Sequence, residues 1–199
     1  MNRTISTFVR LLVGAAFLAL AAGCTVGRLY VNREADMGFY SKVGVLTFAN
    51  LTSDQNAAEK VTASFITELL MLDAVSVANA GDFNKAASET IKGDFANALE
   101  DLTSEQAFQL GQAAGVEGIF VGAVSQYGMV RSGQTEFPLV AVIVRFVDCQ
   151  TGAVVWSYET SRKGGPKFPI FSFGETHTLG EMTTKVCREV AGAFGQIAR

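Results

Sequence analysis

The sequence predicts an α/β sandwich, a mixed β-sheet of about five strands flanked by helices. Two apolar strands joined by a tight turn, Leu139 to Tyr158, form its centre. Further apolar strands alternate with amphipathic helices before that hairpin, and a longer amphipathic helix closes the chain. The implied order, β-α-β-α-β-β-β-α, is that of helices packed on a sheet. A chain of 199 residues, 49% hydrophobic, is long enough to bury a substantial core.

The first elements concern export. Arg3 and Arg10 precede a short apolar run, Leu11 to Ala22, and then Gly23-Cys24. A charged start, an apolar core and small residues before the cut define an export signal. The run is shorter than the roughly 20 residues that a transmembrane helix needs. The sequence LAAGC resembles the lipobox of bacterial lipoproteins, in which the signal is cut before the cysteine and that cysteine is lipidated. Alanine stands at Ala21, where the family prefers leucine. The expectation is a signal peptide over 1–23 and a lipid anchor on Cys24. Thr25 follows it, and by the family's sorting rule the absence of Asp there implies the outer membrane. Removal of the leader takes two cations and no acid, so the net charge falls by two, from −3 to −5.

Residues 24–41 read as a tether or an irregular lead-in. They are rich enough in aromatics, with Tyr30, Phe39 and Tyr40, for part of them to pack on the domain or a neighbour. At about 3.5 Å per residue, Thr25 to Ser41 extends at most ~60 Å. The domain itself is expected over 42–199.

Val43 to Phe48 reads as a buried strand. A turn rich in N-cap residues follows, and then a helix from about Asn56 to Leu72 striped by Val61, Phe65, Leu69 and Leu72 and widened by Ile66 and Leu70. Ala74 to Val77 is a short strand. The stretch from Gly81 to Asp101 is poorly patterned: Phe83 to Ala87 reads as a helical turn, and Ile91 to Leu102 as another helix or an irregular region. Thr103 with Gln106 predicts a capping box and Gly115 a C-terminal stop, so a helix fills Thr103 to Ala114. Gly118 to Val124, extended through Tyr127, is a further buried strand.

In the central hairpin, Val140, Val142, Val144 and Phe146 share one face, and Ala141, Ile143 and Val147 the other. A strand apolar on both faces needs cover on both. Asp148 to Gly152 suits a type I turn closed by a glycine at positive φ. Val154, Trp156 and Tyr158 share one face of the next strand, with Ser157 and Glu159 opposite. Arg145 interrupts the apolar pattern. Its stem packs while its head pairs with an acid, or it serves a subunit contact. Lys163 to Glu175 reads as a loop. Thr178 with Glu181 is a second capping box, and Leu179, Met182, Val186, Val190, Phe194 and Ile197 stripe the final helix.

Chemistry-bearing patterns are few. His177 is the sole histidine, at a helix start, and no zinc-ligand cluster joins it. GxSxG, HExxH and CxxC do not occur, and Gly115, Gly118 and Gly122 do not form GxGxxG. No basic run suits nucleic acid. The expectation is a protein without catalytic site, cofactor, metal or small-molecule substrate. Cys149 and Cys187 either form a bridge in an oxidising compartment or stay buried as thiols. The loop residues Phe168, Ile170, Phe171 and Phe173 are either a flap over the core or a contact for a partner or membrane.

Three blocks, KVGVLTFANLTSD, AAGVEGIFVGAVSQYG and VAVIVRFVDCQTGAVVWS, resemble the CsgG family of curli secretion channel lipoproteins. The match covers about Lys42 to Phe194. The broader fold group includes the lipoprotein activator of a peptidoglycan synthase and the amino-terminal domain of the Tol-system β-propeller protein. In the curli channel a long loop between the first strand and helix carries the pore constriction, whereas here only Leu51 to Ala57 joins them. Its two barrel hairpins are replaced by Gln126 to Leu139 and Lys163 to Glu175. The resemblance therefore implies the periplasmic domain without the channel parts. Three functions follow as expectations: an outer-membrane-anchored assembly or secretion accessory, oligomeric; a regulator of a cell-wall enzyme, like penicillin-binding protein activators; and, least supported by the residues, an enzyme.

Overall fold

The computed structural model describes residues 27–91, 102–165 and 175–198. Among these residues it is an α/β fold with seven strands in one mixed sheet and four α-helices. The strands are β1 (Gly27–Val31), β2 (Lys42–Val45), β3 (Ala49–Asn50), β4 (Ser76–Val77), β5 (Gly118–Ser132), β6 (Thr135–Asp148) and β7 (Val154–Lys163). The helices are α1 (Ala57–Leu70), α2 (Ala80–Thr90), α3 (Ser104–Ala114) and α4 (Leu179–Gly195). The sheet order is β1-β7-β6-β5-β2-β4, with β3 continuing β2's side of β5. The β1, β7, β6 and β5 pairings are antiparallel, and β2, β3 and β4 join in parallel.

The expected class holds, with two more strands than the sequence pattern gave. The two are short or exposed: β3 has two residues, and no residue of β1 is fully buried. The hairpin forms as its residues dictate. Asp148 accepts from the Gln150 and Thr151 amides and the Thr151 hydroxyl, and Gly152 closes the turn at φ 70°. One detail differs. The ladder slips between Phe146/Trp156 and Val147/Val154, leaving Val155 as the extra residue. Val154 therefore packs on the opposite face from Trp156, and Val155 joins the Trp156 side.

The largest difference lies at Gln126 to Leu139. The chain forms a hairpin arm there, turning at Gly133 and Gln134, with fourteen residues of β5 paired to β6. Gly128, Arg131, Ser132 and Gly133 read as turn residues and hide the period-2 pattern.

Both sheet faces carry helices. On one, α1 and α4 cover Val43, Val45, Phe120, Val142, Val144, Phe146 and Trp156. The rings of Phe120, Phe146 and Phe194 lie 4.6 to 5.1 Å apart, and Tyr40 meets Phe146 edge-on at 4.8 Å. On the other face, α2 and α3 cover Leu46, Ile119, Val121 and Val147 with Phe83, Ala87, Ala107 and Leu110. The capping box of Thr103 and Gln106 and the left-handed Gly115 bound α3 as expected. Cys149 lies in this second cluster and Cys187 in the first. The sheet separates the two cysteines, so no bridge forms and both thiols stay free and buried.

Candidate interaction site

Among the described residues, no three of His, Cys, Asp and Glu gather in a way that could hold a metal ion. His177 lies at the surface, 61% exposed, 3.3 Å from the Glu175 carboxylate. Cys24, Phe168, Ile170, Phe171 and Phe173 lie outside the described residues. The surface that stands out is one the sequence did not single out, the edge of the sheet at β1, its last strand on that side among the described residues.

β1 is laid down by β7. Its five residues pair with Trp156 to Thr160, and Asn32 donates one more backbone bond to Val155. Beneath it, β7 is locked to α4 by one carboxylate. Glu189 accepts from the Tyr158 hydroxyl at 2.9 Å, the Thr160 hydroxyl at 3.0 Å, and Nε and Nη2 of Arg162, both at 2.7 Å. Burial opposes the charged Glu189, but Arg162, Tyr158 and Thr160 outweigh it and hold its carboxyl below the usual range. Burial and this carboxylate raise the Tyr158 hydroxyl. Gly27 makes the arrangement possible, since a Cβ there would sit 2.2 Å from the Tyr158 oxygen.

The chain then returns into the core. Met37 and Tyr40 are buried, so 27–40 is built into the domain. Burial, and after it the nearby Asp148 carboxylate, push the Tyr40 hydroxyl up to about 12.

Two large apolar side chains stay outside on β1: Leu29 is 52% and Tyr30 53% exposed. They point to opposite faces, beside Tyr158 and Ser157 respectively. Phe39 is exposed nearby, edge-on to Tyr40 at 5.5 Å. A groove of about 400 Å³ runs between the lead-in and the β6–β7 turn, lined by Asn32, Asp36, Phe39 and Gln150. A second, of about 350 Å³, lies on the other side along Arg28, Ser125, Ile143 and Glu159. Among the described residues β1 is thus the last strand on its side of the sheet, with apolar side chains exposed on it and a groove on either side.

A second apolar patch lies at the far edge of the sheet. Leu70 and Met71 end α1 with 61% and 69% of their surface exposed, beside the two-residue β4. Asp73 follows at φ 52°, a left-handed position that Asp tolerates better than most residues, and shapes the turn into β4. The sequence hid this patch because Leu70 looked like part of the buried stripe.

No protein-family model matches the chain, and no curated protein matches it. Solved structures do. The PelC dodecamer from Paraburkholderia phytofirmans shares 19% identity, over 85% of this chain and 96% of that one, at a TM-score of 0.55. Lipoprotein GNA1162 from Neisseria meningitidis shares 19%, over 76% and 99%, at 0.54. The hypothetical protein CT253 from Chlamydia trachomatis shares 15%, over 80% and 98%, at 0.50. At these identities the likeness establishes the fold. It also corrects the resemblance to the CsgG family: the domains that share this architecture are of the PelC and GNA1162 kind, not the curli channel. The three blocks that suggested the channel are β2, β5 and the β6–β7 hairpin, which build the sheet. They carry the fold and not the function of one member.

Proposed function

We propose that this protein is a lipid-anchored periplasmic domain at the outer membrane that works by assembling with copies of itself, without catalysis. The observation that carries the reading is that β1 ends the sheet among the described residues, with Leu29 and Tyr30 exposed on it. The Leu70 and Met71 patch lies at the opposite end of the strand order, beside β4. Two different patches at opposite edges suit head-to-tail contact, which closes into a ring when the rotation permits. That PelC, of similar fold, is a dodecamer supports this reading. The anchor rests on the LAAGC sequence at Cys24, and a neighbour of similar fold described as a lipoprotein supports it.

Size measurement by light scattering tests it. The lipidated protein in detergent, and the domain lacking its first 24 residues, should both form one defined multimer. A monomer at every concentration overturns the reading. Cys24→Ala should release the protein from the membrane fraction or leave its leader attached. A variant that remains in the outer membrane unchanged removes the anchor.

A second reading, a regulator docking on a cell-wall enzyme, is favoured by the groove along Arg28, Ser125 and Glu159, whose mixed charge suits a protein partner. The partner would have to come to the membrane. Only Thr25 and Val26 separate Cys24 from β1, and three residue steps reach at most ~10 Å. Co-purification with a cell-wall enzyme, lost on Arg28→Glu, separates this reading from self-assembly.

A further inference from the structure

The same short reach fixes how an anchored domain sits on the bilayer. This inference rests on lipidation of Cys24. β1 and β6 both pair antiparallel with β7, so they run in the same direction, and Gly27 lies level with Val142 because both pair with Thr160. From Val142 back to Thr135, β6 continues for seven residues, or ~23 Å at about 3.3 Å each. The hairpin arm therefore projects toward the side from which the anchor arrives, and its tip lies farther out than the ~10 Å that three residue steps allow Cys24. The opposite end, with Asp36, Asp148 and Gln150, cannot face the membrane, because the anchor would have to run back along the whole body of β1.

The arm also has chemistry suited to an interface. Met129 is 43% exposed, Val130 is half-buried, and Arg131 and Thr135 are exposed at the tip. Lys163 reaches over the Phe137 ring at 5.9 Å from its centroid, an apolar body carrying a cation. Side chains with apolar stems and charged heads settle at the boundary between headgroups and acyl chains. Arg131 and Glu136 lie opposite each other near the tip, and their charges keep it at headgroup level and out of the hydrocarbon. We infer that the β5–β6 arm, through Met129, Val130 and Arg131, rests in the lipid headgroup layer beside the Cys24 anchor and sets the tilt of the domain.

The test uses lipidated full-length protein carrying Met129→Cys or Gln150→Cys, labelled with an environment-sensitive fluorophore. Cys149 and Cys187 are buried, so the label goes to the introduced thiol. Each variant is reconstituted into phosphatidylethanolamine–phosphatidylglycerol vesicles with headgroup spin-labelled lipid as quencher, and flotation reports anchoring. The expected result is flotation of both, with quenching at position 129 several-fold stronger than at 150. Flotation with equal quenching, or with stronger quenching at 150, overturns the orientation while leaving the anchor intact. Failure to float overturns the anchor, and the orientation with it. Circular dichroism of each variant confirms that a lost signal does not come from unfolding.

Discussion

On one face of the sheet, α1 and α4 close over Phe120, Phe146, Trp156 and Phe194, and almost every strand contributes. On the other, among the described residues, α2 and α3 close over Leu46, Ile119, Val121 and Val147 at one end. Beyond them the strands present Ser125, Ile143, Ser157, Glu159 and Arg28, the lining and neighbours of a groove. The difference follows from the residues. Phenylalanine and tryptophan bury the most area per side chain and stack edge to face, so the first face supplies most of the packing energy. The second needs only enough helix to cover its apolar end. Among the described residues the remainder is mostly polar, with Ile143 half-buried in it.

The largest expected effect tests that division. Phe146→Ala should destabilise the domain by about 3–5 kcal/mol, the range for removing a buried aromatic, and Ile143→Ala by much less, because Ile143 is only half-buried. Urea unfolding of the two variants measures both. Equal losses would mean that the second face is as well packed as the first.

A smaller effect concerns how the first face holds the edge. Glu189→Gln removes the charged acceptor that ties α4 to β7, and hydrogen bonds to charged groups are worth about 1.5–3 kcal/mol. The pH dependence has a definite sign. The folded carboxyl titrates below its ordinary value of 4.5, so its contribution is fully present above that value and is lost as pH falls through the folded one. Wild type should lose stability below about pH 4.5 more steeply than Glu189→Gln. Parallel curves would assign the acid sensitivity elsewhere.

The two thiols report on the faces separately. Burial pushes each up to about 12, so neither reacts in the closed state. Cys149 lies under α3, packed against Gly111, in the smaller cluster, and Cys187 lies in the larger one. If the smaller layer opens first, Cys149 should label about tenfold faster than Cys187 in mild urea, a difference of about 1.4 kcal/mol in opening. Mass spectrometry of partly labelled protein gives the ratio, and equal rates would show one cooperative unit.

How much of this the sequence disclosed follows the same division. β2, the first half of β5 and the central hairpin are apolar enough to be recognised, and α1, α3 and α4 carry stripes and caps. β1 is legible only as an aromatic lead-in, because Leu29 and Tyr30 face opposite ways and both remain outside. The outer arm of β5 and β6 is hidden for a similar reason: its rungs pair Met129 with Pro138 and Arg131 with Glu136, and no single apolar face runs along it. Periodicity records burial, so exposed elements are those it records least. The LAAGC motif at Cys24 is legible in the sequence, and the exposed residues around β1 needed the fold to bring them together.

The smallest effect on stability should accompany the largest effect on assembly. Leu29→Ser with Tyr30→Ser changes two side chains that are half-exposed in the free domain, and such surface changes usually stay within about 0.5 kcal/mol. If β1 is a strand-pairing edge, both side chains become buried when the next copy docks, where interface aromatics contribute on the order of 2 kcal/mol or more. The double variant should therefore unfold at nearly the wild-type urea midpoint and sediment as a monomer at concentrations where wild type is a multimer. Phe83→Ala on the second face provides the opposite control, because it weakens the core beneath α2 without touching either edge. It should lower the unfolding midpoint and leave assembly of the folded fraction intact. A double variant that still assembles like wild type would move the contact away from β1 and return it to the groove along Ser125 and Glu159, where Glu159→Lys is the next substitution to make.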